Sequence, residues 1–242
     1  MDKQYQEATK EVKPVSKSAL AYEETLSPVE YEVDGQKIRL TPKIVQDFLV
    51  SGGIQVTVQE FKFFVELCKM RKLNPFLKEA YLIKFSNTSP AQIVVGKDAI
   101  LKRAVKHNMF DGREQGIIIQ KEDGTIENRK GTFKMNDETL VGGWATVYRK
   151  DWKYPVHVTV SFGEVAQYKG GNVLNNQWET KGATMVEKVA LVRALREAFV
   201  EDTAGMYDAD EVWDEKQPHI IIEQDEPLAA KTDKKEPSLN DI

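Results

Sequence analysis

The chain of 242 residues lacks the features that disulfide-bonded, zinc-binding and membrane-spanning proteins need. It contains one cysteine, Cys68, so no disulfide can form within the chain, and a reducing compartment is expected. Its three histidines and that cysteine do not have the spacing of zinc ligands. No apolar run reaches about 18 residues, and the charged N-terminus has no apolar signal-peptide core. We therefore expect a cytoplasmic protein without a membrane span.

Charged residues are abundant but unevenly distributed along the chain. The net charge of −4 would by itself argue against a nucleic-acid-binding protein. Residues 61–200, however, carry 23 Lys and Arg against 15 Asp and Glu, a balance of +8. Residues 201–242 carry 4 Lys against 13 Asp and Glu, a balance of −9. A basic body followed by an acidic tail suits an anionic partner.

Apolar periodicity and turn signals predict an α+β fold: a small antiparallel sheet, made of a hairpin and a meander, backed by helices. Thr41–Pro42 predicts a helix start, with the helix continuing to Gly52–Gly53, and the capping box Thr57–Glu60 predicts another. A further capping box, Thr184–Glu187, predicts the start of the last helix, after a polar loop over 170–182.

The stretch from Gln92 to Gly112 is the one around which the other elements are expected to be arranged. It opens with a buried strand, and Asp98 is the expected N-cap of a helix that continues to about His107. Lys102 and Arg103 lie off the apolar face of that helix, which therefore presents cations to solvent.

The sequence gives little support for a catalytic site. Gly96–Lys97 lacks the rest of a G-x-x-x-x-G-K-[ST] phosphate loop, so no ATP site is predicted. Four carboxylates could in principle form a two-metal nuclease centre, but no known spacing supports that reading. These are Asp98, Asp111, Glu114 and Asp151. A metal-dependent nuclease is therefore the weakest alternative.

Two basic clusters favour binding to DNA backbones. The segment Tyr148–Lys153 contains three cations and two aromatic side chains at a predicted hairpin tip, although an ordinary charged turn is the structural alternative. The second cluster surrounds the last helix, where Arg193 could instead pair with Glu197. No helix-turn-helix, zinc finger or ribonucleoprotein motif occurs, so base-specific recognition is not predicted.

Six short motifs give the chain a family resemblance. The first three are Leu73–Tyr81 (N-P-F-L-K-E-A-Y after Leu73), Val94–Asp98 (V-V-G-K-D) and Phe110–Gly112 (F-D-G). The others are Tyr148–Asp151 with Pro155, the pattern Trp178, Met185, Lys188, Arg196–Phe199, and Ala204–Asp208 (A-G-M-Y-D). In this order the motifs resemble those of the phage-type single-strand annealing proteins RecT and Bet, which include Red beta.

The resemblance implies a protein that binds single-stranded DNA, anneals complementary strands without ATP, and assembles into rings or helical filaments. It also implies a phage 5′→3′ exonuclease and the host single-strand-binding protein as partners, in the cytoplasm of a bacterial host. No cofactor is expected to be required, and magnesium is expected to modulate DNA binding or annealing.

The resemblance and the charge pattern together give a set of candidate DNA contacts. Motif positions assign this role to Arg149, Lys150, Lys188 and Arg196. The charge pattern adds Lys102, Arg103, Lys153, Lys181 and Arg193, and the stacking candidates are Tyr148, Trp152 and Trp178. Lys181–Gly182 departs from the His-Pro that the family often shows there.

The expected organisation has three parts. A flexible arm covers 1–28, a DNA-binding and oligomerising core covers 29–212, and an acidic, disordered tail covers 213–242. We expect the acidic segment from Asp202 to Ile242 to compete electrostatically with DNA. The first alternative to annealing is a protein that binds and protects single strands without annealing them.

Overall fold

The structure, a computed structural model, describes residues 27–51, 54–169 and 173–209. These residues belong to one compact unit. Nearly all of the predicted arm and the whole of the predicted tail lie outside the described residues, so the boundaries at 28 and 212 stay predictions. Within the described ranges, no helix combines the length and apolar character needed to cross a membrane.

Strands and helices are interspersed along the described part of the chain. The strands are β1 (Val29–Val33), β2 (Gln36–Leu40), β3 (Val50–Ser51), β4 (Ala80–Ile83), β5 (Gln92–Val95), β6 (Phe110–Gln120), β7 (Ile126–Lys130), β8 (Thr139–Arg149) and β9 (Val156–Ser161). The helices are α1 (Pro42–Phe48), α2 (Val58–Met70), α3 (Lys97–Lys106), α4 (Phe162–Val165), α5 (Asn176–Ala198) and α6 (Val200–Thr203), with a 3-10 turn at Pro75–Leu77.

Three sheets form within the described residues. β1 and β2 make a hairpin, β3-β4-β5 make a small mixed sheet, and β7-β6-β8-β9 make an antiparallel meander. This arrangement confirms the predicted α+β fold. The parallel β3–β4 pair was not predicted. Its two β3 residues had been assigned to the first helix, which ends at Phe48 rather than at Gly52–Gly53.

Helix α5 packs across the meander and supplies much of the core. Its buried face includes Met185, Val189, Val192 and Leu195, which recur at helical spacing. The helix approaches β8 so closely that a Cβ on Gly143 would lie 2.6 Å from the carbonyl oxygen of Val186. Glycine at that position therefore allows the backbone contact that seats the helix on the sheet.

Two predicted helix starts were wrong. α5 begins at Asn176, and the side chain of Asn175 caps it by accepting hydrogen bonds from the amides of Gln177 and Trp178. Thr184–Glu187 consequently lies inside the helix, after a kink at Lys181, and the predicted polar loop is partly helical. The N-cap of α3 is Gly96, with no side-chain cap, and the carboxylate of Asp98 is exposed.

Candidate nucleic-acid interface

A cleft of about 470 Å³ lies beside α3, and we call it the Arg103 cleft. The amide of Gly96 donates to the carbonyl of Glu79, which fixes the start of α3 against the segment that follows α2. The cleft is lined by Asp34, Lys72, Leu73, Glu79, Ala99, Lys102, Arg103, Lys106, His107, Asn108 and Asp202. It therefore joins side chains from the first hairpin, the α2–β4 connection, α3 and α6.

Most acidic groups in the Arg103 cleft already have cationic partners. Lys102 Nζ lies 2.8 Å from Asp34 Oδ2 and 2.7 Å from Glu79 Oε1, and Lys106 Nζ lies 2.9 Å from Asp34 Oδ1. Hydrogen bonds from Lys102 and Lys106 lower the pKa of Asp34 to about 2. The same contacts raise the pKa of Lys102. Lys102, a predicted DNA contact, is thus already held by two carboxylates.

Arg103 differs from its neighbours because its guanidinium has no such partner. The side chain is half-buried, and it forms no hydrogen bond or ion pair with any residue in the part of the chain that the structure describes. Burial and the nearby charge of Arg71 lower the pKa of Arg103. A partly desolvated guanidinium with open donors is a good site for an anion, because a phosphate accepts two of its hydrogen bonds at once.

The hairpin segment divides into a structural cation and two exposed ones. Arg149 donates to both carboxylate oxygens of Asp151, at 2.9 and 2.6 Å, and to the carbonyl of Ala198 at 2.6 Å. Its guanidinium also lies 4.6 Å from the ring centroid of Trp152 and 4.9 Å from that of Phe199. Arg149 therefore ties the β8–β9 turn to the end of α5, and three of its five N–H donors are engaged.

Lys150 and Lys153 are the exposed cations of this hairpin. Lys150 Nζ donates to the carbonyl of Asn108 at 3.2 Å, and Asn108 lines the Arg103 cleft. Lys153 Nζ lies 5.2 Å from the ring centroid of Tyr154. Lys150 is thus placed at the edge of the Arg103 cleft.

Only some of the aromatic stacking candidates present a ring to solvent. Trp152 is 45% exposed, although Arg149 covers one face of its ring. Tyr148 is half-buried and donates to Glu114 at 3.3 Å. Trp178 is 1% exposed and packs edge-on against Phe162, with 5.6 Å between ring centroids. The prediction that Trp178 stacks on a base is therefore wrong for this structure, because its ring belongs to the core.

The cations of α5 do not form one cluster. Lys188 Nζ lies 2.6 Å from Asp208 Oδ1, and Arg193 Nη1 lies 3.3 Å from Glu164 Oε1 rather than pairing with Glu197. Lys181 is exposed at the kink, fifteen residues before Arg196. A rise of about 1.5 Å per residue puts the two roughly 20 Å apart along the helix.

Arg193 and Arg196 line a second depression, of about 520 Å³, which we call the Tyr207 groove. The guanidinium of Arg196 lies 4.3 Å from the ring centroid of Tyr207. The groove is lined by Arg193, Arg196, Glu197, Val200, Thr203, Ala204, Gly205 and Tyr207. Because Asp202 lines the Arg103 cleft, helix α6 contributes residues to both depressions.

Two of the four carboxylates considered for a nuclease are held by separate cations. Asp151 is bound by Arg149, and Glu114 lies 2.8 Å from Lys130 Nζ. Among residues 27–51, 54–169 and 173–209, no three His, Cys, Asp or Glu side chains are grouped so that they could hold a metal ion.

Three residues that line these depressions were not among the predicted site residues: Lys72, Lys106 and Tyr207. The run Lys69–Lys72 at the end of α2, which contains three cations, was a usable signal for Lys72.

Comparison with known proteins decides the family. The profile of the RecT family matches residues 36–226, and this span includes every residue that lines the two depressions except Asp34. The chain belongs to the RecT family. No curated protein matches the chain. Members of the RecT family are single-strand annealing recombination proteins and are generally non-catalytic, and membership implies single-stranded DNA binding and self-association.

Proposed function

We propose that this RecT-family chain anneals complementary single strands of DNA without ATP, and that the Arg103 cleft holds the DNA backbone. The observation that carries the proposal is the half-buried Arg103, whose guanidinium lacks a hydrogen-bond or ion-pair partner in the described part of the chain. A DNA phosphate supplies the missing acceptors. Lys150 and the exposed Lys72 add cations at the cleft edge and lining.

The Tyr207 groove provides a second pair of cations for the same strand, Arg193 and Arg196. Together the two depressions present cations on both sides of α6. Contacts of this kind position a strand through its phosphates and leave base edges open. Base pairing between two strands then supplies sequence fidelity, and the protein supplies concentration and alignment.

Self-association strengthens this mechanism. Each subunit holds a few phosphates weakly, and a ring or helical filament multiplies these contacts along one strand. We further propose that a phage 5′→3′ exonuclease supplies the single strand, that the host single-strand-binding protein is a second partner, and that no cofactor is required. Magnesium is expected to modulate annealing by screening the two strands.

The test is annealing of two complementary labelled oligonucleotides, without ATP, over a series of salt concentrations. Fast annealing that weakens with salt and leaves the strands intact supports the proposal. Arg103→Gln is expected to weaken single-strand binding about tenfold at low salt and to reduce the slope of log K against log salt by about 0.7. Arg39→Gln, at an exposed arginine on β2 outside the cleft, is the matched control and should change affinity less than about twofold.

Two other outcomes would replace this proposal. Binding without faster annealing would make the chain a protector of single strands. Loss of strands on addition of magnesium would identify a nuclease instead.

A further inference from the structure

The Leu73–Tyr81 motif contains a turn to which the proposed function assigns no role. After α2 the chain forms the 3-10 turn Pro75–Leu77, in which Phe76 is 52% exposed and Leu77 is 65% exposed. Two adjacent large apolar side chains in water lack the hydrophobic stabilisation that burial would give them. A partner that covers both side chains would supply it.

The turn is held firmly at the edge of the Arg103 cleft. The side chain of Asn74, 4% exposed, accepts a hydrogen bond from the amide of Phe76 at 3.0 Å. The amide of Asn74 donates to Glu79 Oε2 at 2.8 Å, and Glu79 Oε1 lies 2.7 Å from Lys102 Nζ on α3. Leu73 and Glu79 both line the cleft, and Phe76 is three residues from each. Its Cα therefore lies within roughly 10 Å of both.

The exposed charges next to this turn are positive. Lys72 and Lys78 flank it and are exposed, whereas Glu79, the one carboxylate among residues 71–79, is paired with Lys102. Such a surface complements an anion that also carries flat apolar groups. Single-stranded nucleic acid has this chemistry, because its phosphates pair with lysines and its bases cover apolar side chains.

The backbone at the two lysines supports a contact made by their charge. Lys72 has a φ of +46° and Lys78 a φ of +57°, both in the left-handed region that favours glycine. Lysine at these positions is less stable than glycine would be. A contact between each ammonium and a phosphate explains why cations stand there.

We propose that the turn Asn74–Lys78 binds the bases of the strand whose phosphates occupy the Arg103 cleft. Phe76 and Leu77 cover base faces, and Lys72 and Lys78 hold the adjacent phosphates. The location of the strand rests on the proposed function. Contacts to base faces are tolerant of sequence and leave the base edges open for pairing. Affinity therefore depends on the bases as well as on the phosphates.

The test compares a labelled thymidine strand of about 30 nucleotides with an abasic strand that has the same number of phosphates. We expect the wild type to bind the thymidine strand about tenfold more tightly. Phe76→Ala with Leu77→Ala should reduce this ratio to less than about twofold and leave the affinity for the abasic strand unchanged. The control is Phe133→Ala with Met135→Ala, at side chains 68% and 54% exposed, and should keep the tenfold ratio.

Arg103→Gln separates this proposal from the proposed function. It should weaken binding of both strands by the same factor, because it removes a phosphate contact and no base contact. Equal affinity of the wild type for the two strands, or an unchanged ratio in the Phe76 and Leu77 variant, would overturn the base contact while backbone binding stands. If the wild type binds neither strand, both proposals fail.

Two further results test the lysines and the class of partner. Lys72→Gly with Lys78→Gly should weaken binding of both strands about tenfold without lowering the melting temperature, because glycine relieves two left-handed positions. Unchanged affinity in this variant would overturn the phosphate contacts. An equal loss of affinity for both strands in the Phe76 and Leu77 variant, with smaller assemblies by sedimentation without DNA, would overturn the base contact and assign the turn to a second copy of the chain.

Discussion

The ammonium of Lys188 on α5 lies 2.6 Å from the carboxylate of Asp208, whose side chain is 4% exposed. The contact joins two of the six sequence motifs, since Lys188 belongs to the helix pattern and Asp208 closes A-G-M-Y-D. Beside it, Tyr207 accepts a hydrogen bond from Val95 of β5. Lys188, predicted from sequence to contact DNA, therefore holds the closing segment against the core.

Replacing Asp208 should accordingly destabilise the fold. Asp208→Asn removes the negative partner from a buried ion pair, and such a change typically costs about 3 kcal/mol of unfolding free energy. Urea unfolding followed by circular dichroism would measure it. Asp137→Asn, at an exposed carboxylate, is the control and should change stability by less than about 0.5 kcal/mol. Equal unfolding midpoints for the two variants would contradict the structural role.

The ion pair of Glu60 and Lys84 should make stability depend on pH. Lys84 Nζ lies 2.9 Å from Glu60 Oε2 and is buried. Burial alone would raise the pKa of Glu60, but hydrogen bonds from the amides of Thr57 and Ala91 and from Lys84 lower it below 4.5. A carboxyl with a lowered folded pKa stabilises the fold above its unfolded pKa, and that contribution is lost as the pH falls through the folded pKa.

Glu60→Gln is therefore expected to lower the free energy of unfolding by about 3 kcal/mol at pH 7. The difference in this free energy between the variant and the wild type should shrink as the pH falls below 4.5. Unfolding by urea at several pH values measures this difference. Glu66→Gln, at an exposed position on the same helix, should show neither effect. A difference that stays constant with pH would show that the charge of Glu60 does not stabilise the fold.

Arg149 and Lys150 are adjacent in sequence but should respond differently to substitution. Arg149→Ala removes hydrogen bonds to Asp151 and Ala198 and the ring contacts, so it should lower the free energy of unfolding by about 2–3 kcal/mol. Lys150→Ala should leave stability within about 0.5 kcal/mol and weaken DNA binding instead. The comparison uses thermal unfolding and oligonucleotide binding on both variants. Loss of affinity without loss of stability in Arg149→Ala would restore it as a DNA contact.

Substitution of Arg103 should lower the affinity for single-stranded DNA without lowering the stability of the fold. Its pKa is lowered because burial and the charge of Arg71 disfavour the charged guanidinium. Replacing it by Met removes this repulsion and keeps the aliphatic contacts, so the melting temperature should stay the same or rise while single-strand affinity falls. Both quantities are measured on one preparation. A large fall in melting temperature would show that Arg103 stabilises the fold.

Local sequence patterns predicted the elements well where the determining contacts are local. The capping box Thr57–Glu60 forms as expected. Thr184–Glu187 has the same pattern but does not start a helix, because Asn175 caps the chain earlier. A short motif indicates which structure a segment can adopt. Competition with neighbouring segments decides whether that structure forms.

The sequence by itself determined the α+β class, the separation of charge and the RecT-family motifs, because these depend on composition, periodicity and short spacings. Only the tertiary structure decided which cations are paired with carboxylates of the described residues. Arg103, Arg149 and Lys188 look alike as basic residues, yet Arg149 is occupied by Asp151 and Lys188 by Asp208, while Arg103 has no such partner within the described residues. The distinction depends on carboxylates, carbonyls and rings brought together by folding, and a guanidinium or ammonium can bind a phosphate only with donors that those groups leave free.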